Sequence, residues 1–460
     1  MLRIPFDRER IRHFLARPAT VAAFLAAMSV GIHLMPFILF GSHPLGYDTG
    51  FYRRYLIKPV ASFPNGPVPG LGADALLPRM VFDVFRAAGL PADVILYGSY
   101  ILLLAASAAL LFLLLRRSWG NRAAAVAGFI FVLSPVQYAA FWFMLWKNAF
   151  ATSLLLGTFL LLERRSAWVA VPAIAVAASH QTTTVILLLT LGMYALINPE
   201  RWRTVALAFL PSAAVFLYLH RGLGARIARP PVAVFLGTAD FLWLALPLLP
   251  FALVGFWQAL RRHPESTLLV LAIATGIFPA FQLPFHERVS VFLDIAIAAF
   301  AGAGIAALVK SGAALRHARF RPIALLAVVV AMSWSIGSTV RSVETYQPLL
   351  APPVSAEIHR IESLTPADAA ILTSTDLAPW VHGWNRRRVI APGLLGDHHN
   401  LEAWMAHWQA TDAAAKTAFL VEYPRPLYFF IEPFERDAFL PNIPCVVRLS
   451  AYLSEFRCPG

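Results

Sequence analysis

The sequence predicts a mainly α-helical, polytopic membrane protein with a small α/β domain at its C-terminal end. Three observations predict it. Of 460 residues, 58% are hydrophobic and only 14% are charged, against roughly 25% charged in a soluble chain. The apolar residues arrive in runs long enough to cross a bilayer core, which takes about 20 helical residues. The last 120 residues, Arg341 to Gly460, are polar. Length alone would allow about three soluble domains of roughly 150 residues, and the apolar runs exclude that for residues 1–340. The expected organisation is a transmembrane module over 1–340 and an external domain over 341–460.

The first run is Ala19 to Phe40. The basic stretch Arg8-Glu9-Arg10-Ile11-Arg12 before it resembles a signal-peptide start. The run exceeds the ~7–15 residues of a signal core and ends in bulky residues instead of a cleavage site, so an uncleaved span is expected. The later runs are Asp93–Leu115, Ala123–Trp142, Ala149–Leu162, Trp168–Ser179, Gln181–Ile197, Thr204–Leu219, Phe241–Leu260, Thr267–Leu283, Val289–Val309 and Pro322–Val340, eleven in all. Residues 168–197 read as one long tilted helix or as two short ones bent at Ser179-His180-Gln181. Cytoplasmic loops favour Lys and Arg. Two helices put eight basic residues in the later inside loops and four in the outside ones, and one helix would reverse that ratio. Two helices are therefore expected, with the N-terminus cytoplasmic and the tail external. The absence of any Asn-x-Ser/Thr sequence mildly favours a bacterial membrane over a eukaryotic secretory one, and the expected location is the plasma (inner) membrane.

The net charge of +13 invites a nucleic-acid partner. Its distribution argues otherwise. The first 340 residues hold 28 Lys and Arg against 12 Asp and Glu, while the tail holds 10 against 13. Of those 28, 18 fall on the expected cytoplasmic side, where they set orientation. The partners implied are a lipid bilayer and substrates, with no nucleic acid.

Two large non-membrane pieces share the external side: the first loop, about 41–92, and the tail. The loop begins His43-Pro44-Leu45-Gly46-Tyr47-Asp48-Thr49. From Thr49 onward, Phe51, Tyr55 and Leu56 recur at helical spacing beside Arg53, Arg54 and Lys58, a pattern that suits an interfacial helix. Ala73 to Leu90 is a second amphipathic segment, joined to the first by the Pro- and Gly-rich stretch Phe63–Gly70. Asp48 is the candidate catalytic residue, because a carboxylate beside a hydroxyl nucleophile can act as general base. Asp is equally a favoured N-cap for a helix beginning at Thr49. Arg53, Arg54 and Lys58 are candidates for a donor phosphate, or for lipid headgroups and solvent. His43 and Tyr47 are candidates for sugar or acceptor contact.

Polar residues also mark other span ends. His180 precedes Gln181 and three threonines between two apolar runs, and intramembrane polar residues are functional candidates by default. A histidine at a helix break can also satisfy loose carbonyls. His286-Glu287-Arg288 precedes a span that contains Asp294. Arg288 is a phosphate candidate, with an ion pair to Asp240 as the alternative, and Asp294 should face the bundle interior and be paired. In the tail, Asp376, His382, Trp384 and Arg386–Arg388 form a dense polar and aromatic group for acceptor contact, with surface or domain-docking roles as the alternative. Asp397-His398-His399 is a weak metal candidate, since adjacent residues rarely both ligate. Ala369–Thr373 and Arg388–Ile390 read as strands and Asn400–Phe419 as a helix. Cys445 and Cys458 are the only cysteines. An external tail allows a disulfide between them, and two free thiols remain the alternative.

This arrangement resembles the GT-C superfamily of membrane glycosyltransferases. Gly46-Tyr47-Asp48-Thr49-Gly50-Phe51-Tyr52 is similar to the acidic motif after that family's first span. Ala177-Ala178-Ser179-His180 resembles its Ala-x-x-His stretch, and Arg288 to Gly304 its arginine-containing late segment. The tail segments Thr373–Trp380 and Asn385–Val389 are similar to tails in the superfamily. The resemblance implies a polyprenyl-phosphate-linked sugar donor, Asp48 as base, and Lys147, His180 and Arg288 at the lipid phosphate. It implies a glycan, lipid or protein acceptor. Many metal-dependent relatives carry a second acidic motif in the next external loop. Here that loop is Phe143-Met144-Leu145-Trp146-Lys147-Asn148, with a cation and no acid. No metal or other cofactor is therefore expected. The rival functions are a lipid-linked saccharide flippase or transporter, a polysaccharide polymerase or ligase, and a non-enzymatic scaffold. Transporters often show repeated halves, and none is visible here.

Overall fold

The structure is a computed structural model that describes residues 17–41, 45–57, 75–219, 236–283, 286–314, 320–395, 399–435, 440, 443 and 445–459. Along the chain lie α1 (Pro18–Phe40), α2 (Thr49–Ile57), α3 (Leu76–Ala87), α4 (Ser99–Val132), α5 (Pro135–Trp142), α6 (Trp146–Glu163), α7 (Ala170–Ala177) and α8 (Gln181–Ile197). Then follow α9 (Trp202–Leu219), α10 (Thr238–Ala245), α11 (Leu249–Arg262), α12 (Thr267–Ala280), α13 (His286–Ala314), α14 (Phe320–Thr345) and α15 (Pro352–Leu364). The C-terminal elements are β1 (Ala370–Thr373), α16 (Ala378–Trp384), β2 (Arg388–Ile390), α17 (Leu401–Gln409), α18 (Ala413–Val421), β3 (Leu427–Phe430), β4 (Val446–Arg448) and β5 (Leu453–Phe456).

Among the described residues, five helical stretches are long and apolar enough to cross a membrane: Pro18–Phe40, Val94–Val132, Pro199–Leu219, His286–Lys310 and Leu325–Thr345. The pair α10 and α11 passes together but bends by 83°. The sequence reads Phe241–Leu260 as one span; Pro247 and Pro250 interrupt it, because proline removes a backbone donor and crowds the preceding turn. Ala123–Trp142, also expected as one span, breaks at Leu133-Ser134. There Pro135 takes the first helical position and the Ser134 hydroxyl accepts from the amides of Val136 and Gln137. The long stretch ending at Val132 is itself broken at Gly120, whose φ of +82° favours glycine. Residues 168–197 separate at Ala178-Ser179-His180, where the charge argument placed a break between two helices.

The chain forms two compact units. The first comprises residues 1–39, 73–78 and 97–347. Its apolar core runs through α4, α6, α8, α11, α12 and α13. Close helix approach rests on glycine, as is usual where lipid supplies no drive between helices. A Cβ at Gly255 would lie 2.0 Å from the Phe300 carbonyl oxygen, and one at Gly304 would lie 2.0 Å from that of Phe251. Asp294, buried on α13, accepts from Ser134 Oγ at 2.8 Å and from Gln137 Nε2 at 2.9 Å. The expected interior pairing of this carboxylate is thus with a cap serine and an amide.

The second unit comprises residues 40–72, 79–96 and 348–460. It contains a five-stranded sheet in the order β2-β1-β3-β5-β4. β1 runs parallel to β2 and β3, while β5 is antiparallel to β3 and β4. Alternation along β1 sends Ile371 to one face and Ala370 and Leu372 to the other. Ile371 joins a core with Phe51 of α2, Ile358 and Ile361 of α15, and Trp380 of α16. Ala370 and Leu372 pack with Trp404 of α17 and Leu420 of α18. The run Asn400–Phe419, expected as one helix, divides because Asp412 caps a second one, accepting from the amides of Ala414 and Ala415 at 3.1 and 3.2 Å. Cys445 and Cys458 form a disulfide that joins the start of β4 to the end of β5.

Candidate functional site

In the second unit, Asp48 immediately precedes α2. Its backbone carbonyl accepts from the amides of Phe51 and Tyr52 at 3.2 and 3.4 Å, so it occupies the position of a helix cap. Gly46 turns the chain into the helix with φ +32°, and Thr49 Oγ1 donates to the Leu45 carbonyl at 2.7 Å. Pro44 and His43 lie outside the described residues. Tyr47 hydroxyl donates to the Thr375 carbonyl at 2.8 Å. Burial, then the charges of Asp376 and Asp48, push the Tyr47 phenol above its ordinary range. One phenol therefore feels the charge of an acid of the first loop and of an acid of the tail. Asp48 is half-buried and Asp376 exposed.

The two arginines that follow are engaged with the tail. Arg53 donates to Asp93 at 2.8 Å and to the Gly383 carbonyl at 2.9 Å, and its guanidinium lies 4.6 Å over the Trp384 ring. Arg54 is only 3% exposed. It donates to the carbonyls of Asn385, His382 (3.4 Å), Arg387 (3.2 Å) and Arg386 (3.5 Å). Buried guanidinium needs such acceptors. Lys58 lies outside the described residues. His382 is buried beside Phe51, and burial together with the Arg54 cation pushes its pKa down to about 3. Trp384 is half-buried and Arg386 exposed, and the Arg386 amide donates to Glu362. His399 pairs with Glu422 at 3.2 Å and stacks on Phe419, while Asp397 and His398 lie outside the described residues.

In the first unit, two helix starts converge. His180 is the N-cap of α8, and its Nδ1 lies 2.9 Å from Thr183 Oγ1. Thr183 Oγ1 in turn donates to Asn148 Oδ1 at 3.5 Å. Asn148 and Lys147 stand in the first turn of α6. Two helix N-termini, each with the partial positive charge of a helix start, thus meet near one histidine and one lysine, both half-buried. Arg288 is half-buried in the first turn of α13. The alternative ion pair with Asp240 is not formed among the described residues.

Sequence reading missed the partners of the arginines. Asp93 lies 40 residues from Arg53, and backbone carbonyls carry no sequence signal. The close contact of Gly50 with Gly383 was also missed. Among the described residues no three His, Cys, Asp or Glu side chains converge as metal ligands.

No protein-family model matches the sequence, and no curated protein matches it. Solved structures do. The oligosaccharyltransferase AglB of Archaeoglobus fulgidus, in complex with an inhibitory peptide and a dolichol-phosphate, has a TM-score of 0.64 at 14% identity, over 96% of this chain and 74% of that one. The same organism's oligosaccharyltransferase tethered with an acceptor peptide gives 0.57 at 14%, over 81% of this chain, which spans only 64% of that one. ArnT from Cupriavidus metallidurans bound to undecaprenyl phosphate gives 0.60 at 16%, over 95% and 97%. The chain is a multi-pass membrane protein with the GT-C fold.

Proposed function

We propose that this protein is a membrane glycosyltransferase that moves a sugar from a polyprenyl-phosphate-linked donor to an acceptor hydroxyl. The observation that carries the reading is Asp48, held at the start of α2 beside Tyr47 and within electrostatic reach of the same ring as Asp376, in a chain of this fold. The Asp48 carboxylate takes the proton of the acceptor hydroxyl. The acceptor oxygen attacks the anomeric carbon, whose bond to the phosphate oxygen breaks, and the lipid phosphate leaves with the electron pair. A single displacement inverts that carbon. Negative charge grows on the departing phosphate, and preorganised cations and helix amides stabilise such charge. Lys147, His180 and Arg288 are assigned to it. Arg53 and Arg54 are not, because their donors already face Asp93 and tail carbonyls. Tyr47 and Asp376 are assigned to the acceptor. His382 is left out of the site because it is buried in the tail core, and Trp384 because it carries Arg53.

The same reading places about eleven apolar segments in the inner membrane, the N-terminus in the cytoplasm, and the first loop and residues 341–460 in the periplasm. The acceptor is a glycan, lipid or protein hydroxyl. No step needs a metal.

Proteoliposomes supplied with polyprenyl-phosphate pentoses and hexoses, and with methyl glycosides as acceptors, test it. Asp48→Asn should lower transfer about 10²- to 10⁴-fold, the usual contribution of a general base. Equal turnover in both proteins removes the base assignment. Transbilayer movement of the donor without transfer overturns the enzyme.

A further inference from the structure

A base must be held still, yet Asp48 stands at the end of a helix of only nine residues. Isolated helices shorter than about 12–15 residues are marginal in water. The hold on α2 comes from the tail, within the second unit. Tyr47, Gly50, Phe51 and Arg54 follow steps of three and four, so they form one stripe along the helix. Each meets the tail. Tyr47 donates to the Thr375 carbonyl. Phe51 is fully buried in the core on one face of the sheet. A Cβ at Gly50 would fall 1.8 Å from the Pro379 carbonyl oxygen, and one at Gly383 would fall 2.5 Å from Gly50 Cα. The backbones of α2 and α16 therefore touch, which only glycine permits. Arg54 closes the stripe on the carbonyls of residues 382 and 385–387. A lysine offers a point charge with three donors and cannot reproduce that planar fork. Asp48 stands on the neighbouring stripe with Tyr52 and Tyr55.

We propose that Arg54 and the Gly50–Gly383 contact are positioning groups that latch α2 to the tail and so fix the Asp48 carboxylate at the reacting atoms. This rests on Asp48 being the base. It also gives the tail a role in catalysis that needs no contact between Arg54 and substrate.

The test compares Arg54→Lys, Gly383→Ala and Asp48→Asn in the proteoliposome assay above, with kcat normalised to folded enzyme. For the two latch variants, kcat should fall about 10- to 100-fold, the cost of a misplacement near 1 Å. The donor KM should stay at its native value. The acidic limb of the kcat–pH profile, which reports the base, should move. Hydrogen exchange over residues 45–57 should quicken while the sheet stays protected. A purely structural role would lower the yield of folded protein and leave kcat per molecule and the acidic limb in place. If Gly383→Ala does not fold, Arg54→Lys carries the test. Native kcat and an unmoved limb in Arg54→Lys, with Asp48→Asn slow, overturn the latch and leave the base standing. Native turnover in Asp48→Asn overturns the base itself.

Discussion

His382 shows how one residue ties the tail to pH. Burial and the Arg54 cation push its pKa down to about 3, against an ordinary value near 6.5. Above the ordinary value neither the folded nor the unfolded chain holds the proton, and stability is complete. As pH falls below it, the unfolded chain takes a proton that the fold refuses, so stability is lost down to the folded value. Between pH 7 and pH 5 this loss comes to about 2 kcal/mol for the tail. Hydrogen exchange of residues 378–390 should quicken across that interval, and His382→Gln should flatten the dependence. An identical pH response in the variant would remove this account. The sequence marks His382 as a polar candidate for acceptor contact. Burial beside a fixed cation makes it a neutral core residue instead, and burial is not readable from local sequence.

At the scale of elements, short helices are pinned by polar groups that lie far away in sequence. α5 is fixed at its start by Ser134 and Gln137, which both donate to Asp294 of α13. Gln137 Nε2 also reaches the Val291 carbonyl at 3.0 Å. Asp294→Ala would strand the serine and the amide in an apolar interior. The expected cost is about 2–4 kcal/mol, the range for breaking a buried charged hydrogen-bond network. Asp294→Asn should cost less, since the amide oxygen still accepts. Thermal unfolding in detergent measures both, and a native melting curve for Asp294→Ala would rule out the pinning role. The helix breaks follow the same logic. Proline at 135, 247 and 250 interrupts runs that hydropathy alone joins, because hydropathy registers side chains and not the missing backbone donor.

For the molecule as a whole, the +13 charge belongs to residues 1–340, which hold 28 Lys and Arg against 12 Asp and Glu, and not to the tail, which holds 10 against 13. Residues 143–148 offer one cation, Lys147, and no acid, and under the proposed function that lysine meets the donor phosphate. Transfer activity should therefore persist in excess EDTA, and a strict requirement for Mg²⁺ or Mn²⁺ would contradict the assignment of Lys147 to the phosphate. The tail is more than an appended domain, since its core contains Phe51 from the first loop. That shared core is why a change at Gly383 should be felt at Asp48.

By itself the sequence determined the helical membrane class, the polar tail and the break at His180. These rest on composition, periodicity and loop charge, each a property of neighbouring residues. It left β3, β4 and β5 unread, because Leu427–Phe430 is an apolar run too short to separate strand from buried helix. Only the tertiary structure decided what Arg53 and Arg54 do. A pair of arginines after an acid reads as phosphate ligands or as side chains in solvent or on lipid headgroups, and their observed partners are carbonyls and a carboxylate that the fold brings from residues 93 and 382–387. Long-range partners of a charged side chain are set by packing, which no local pattern encodes.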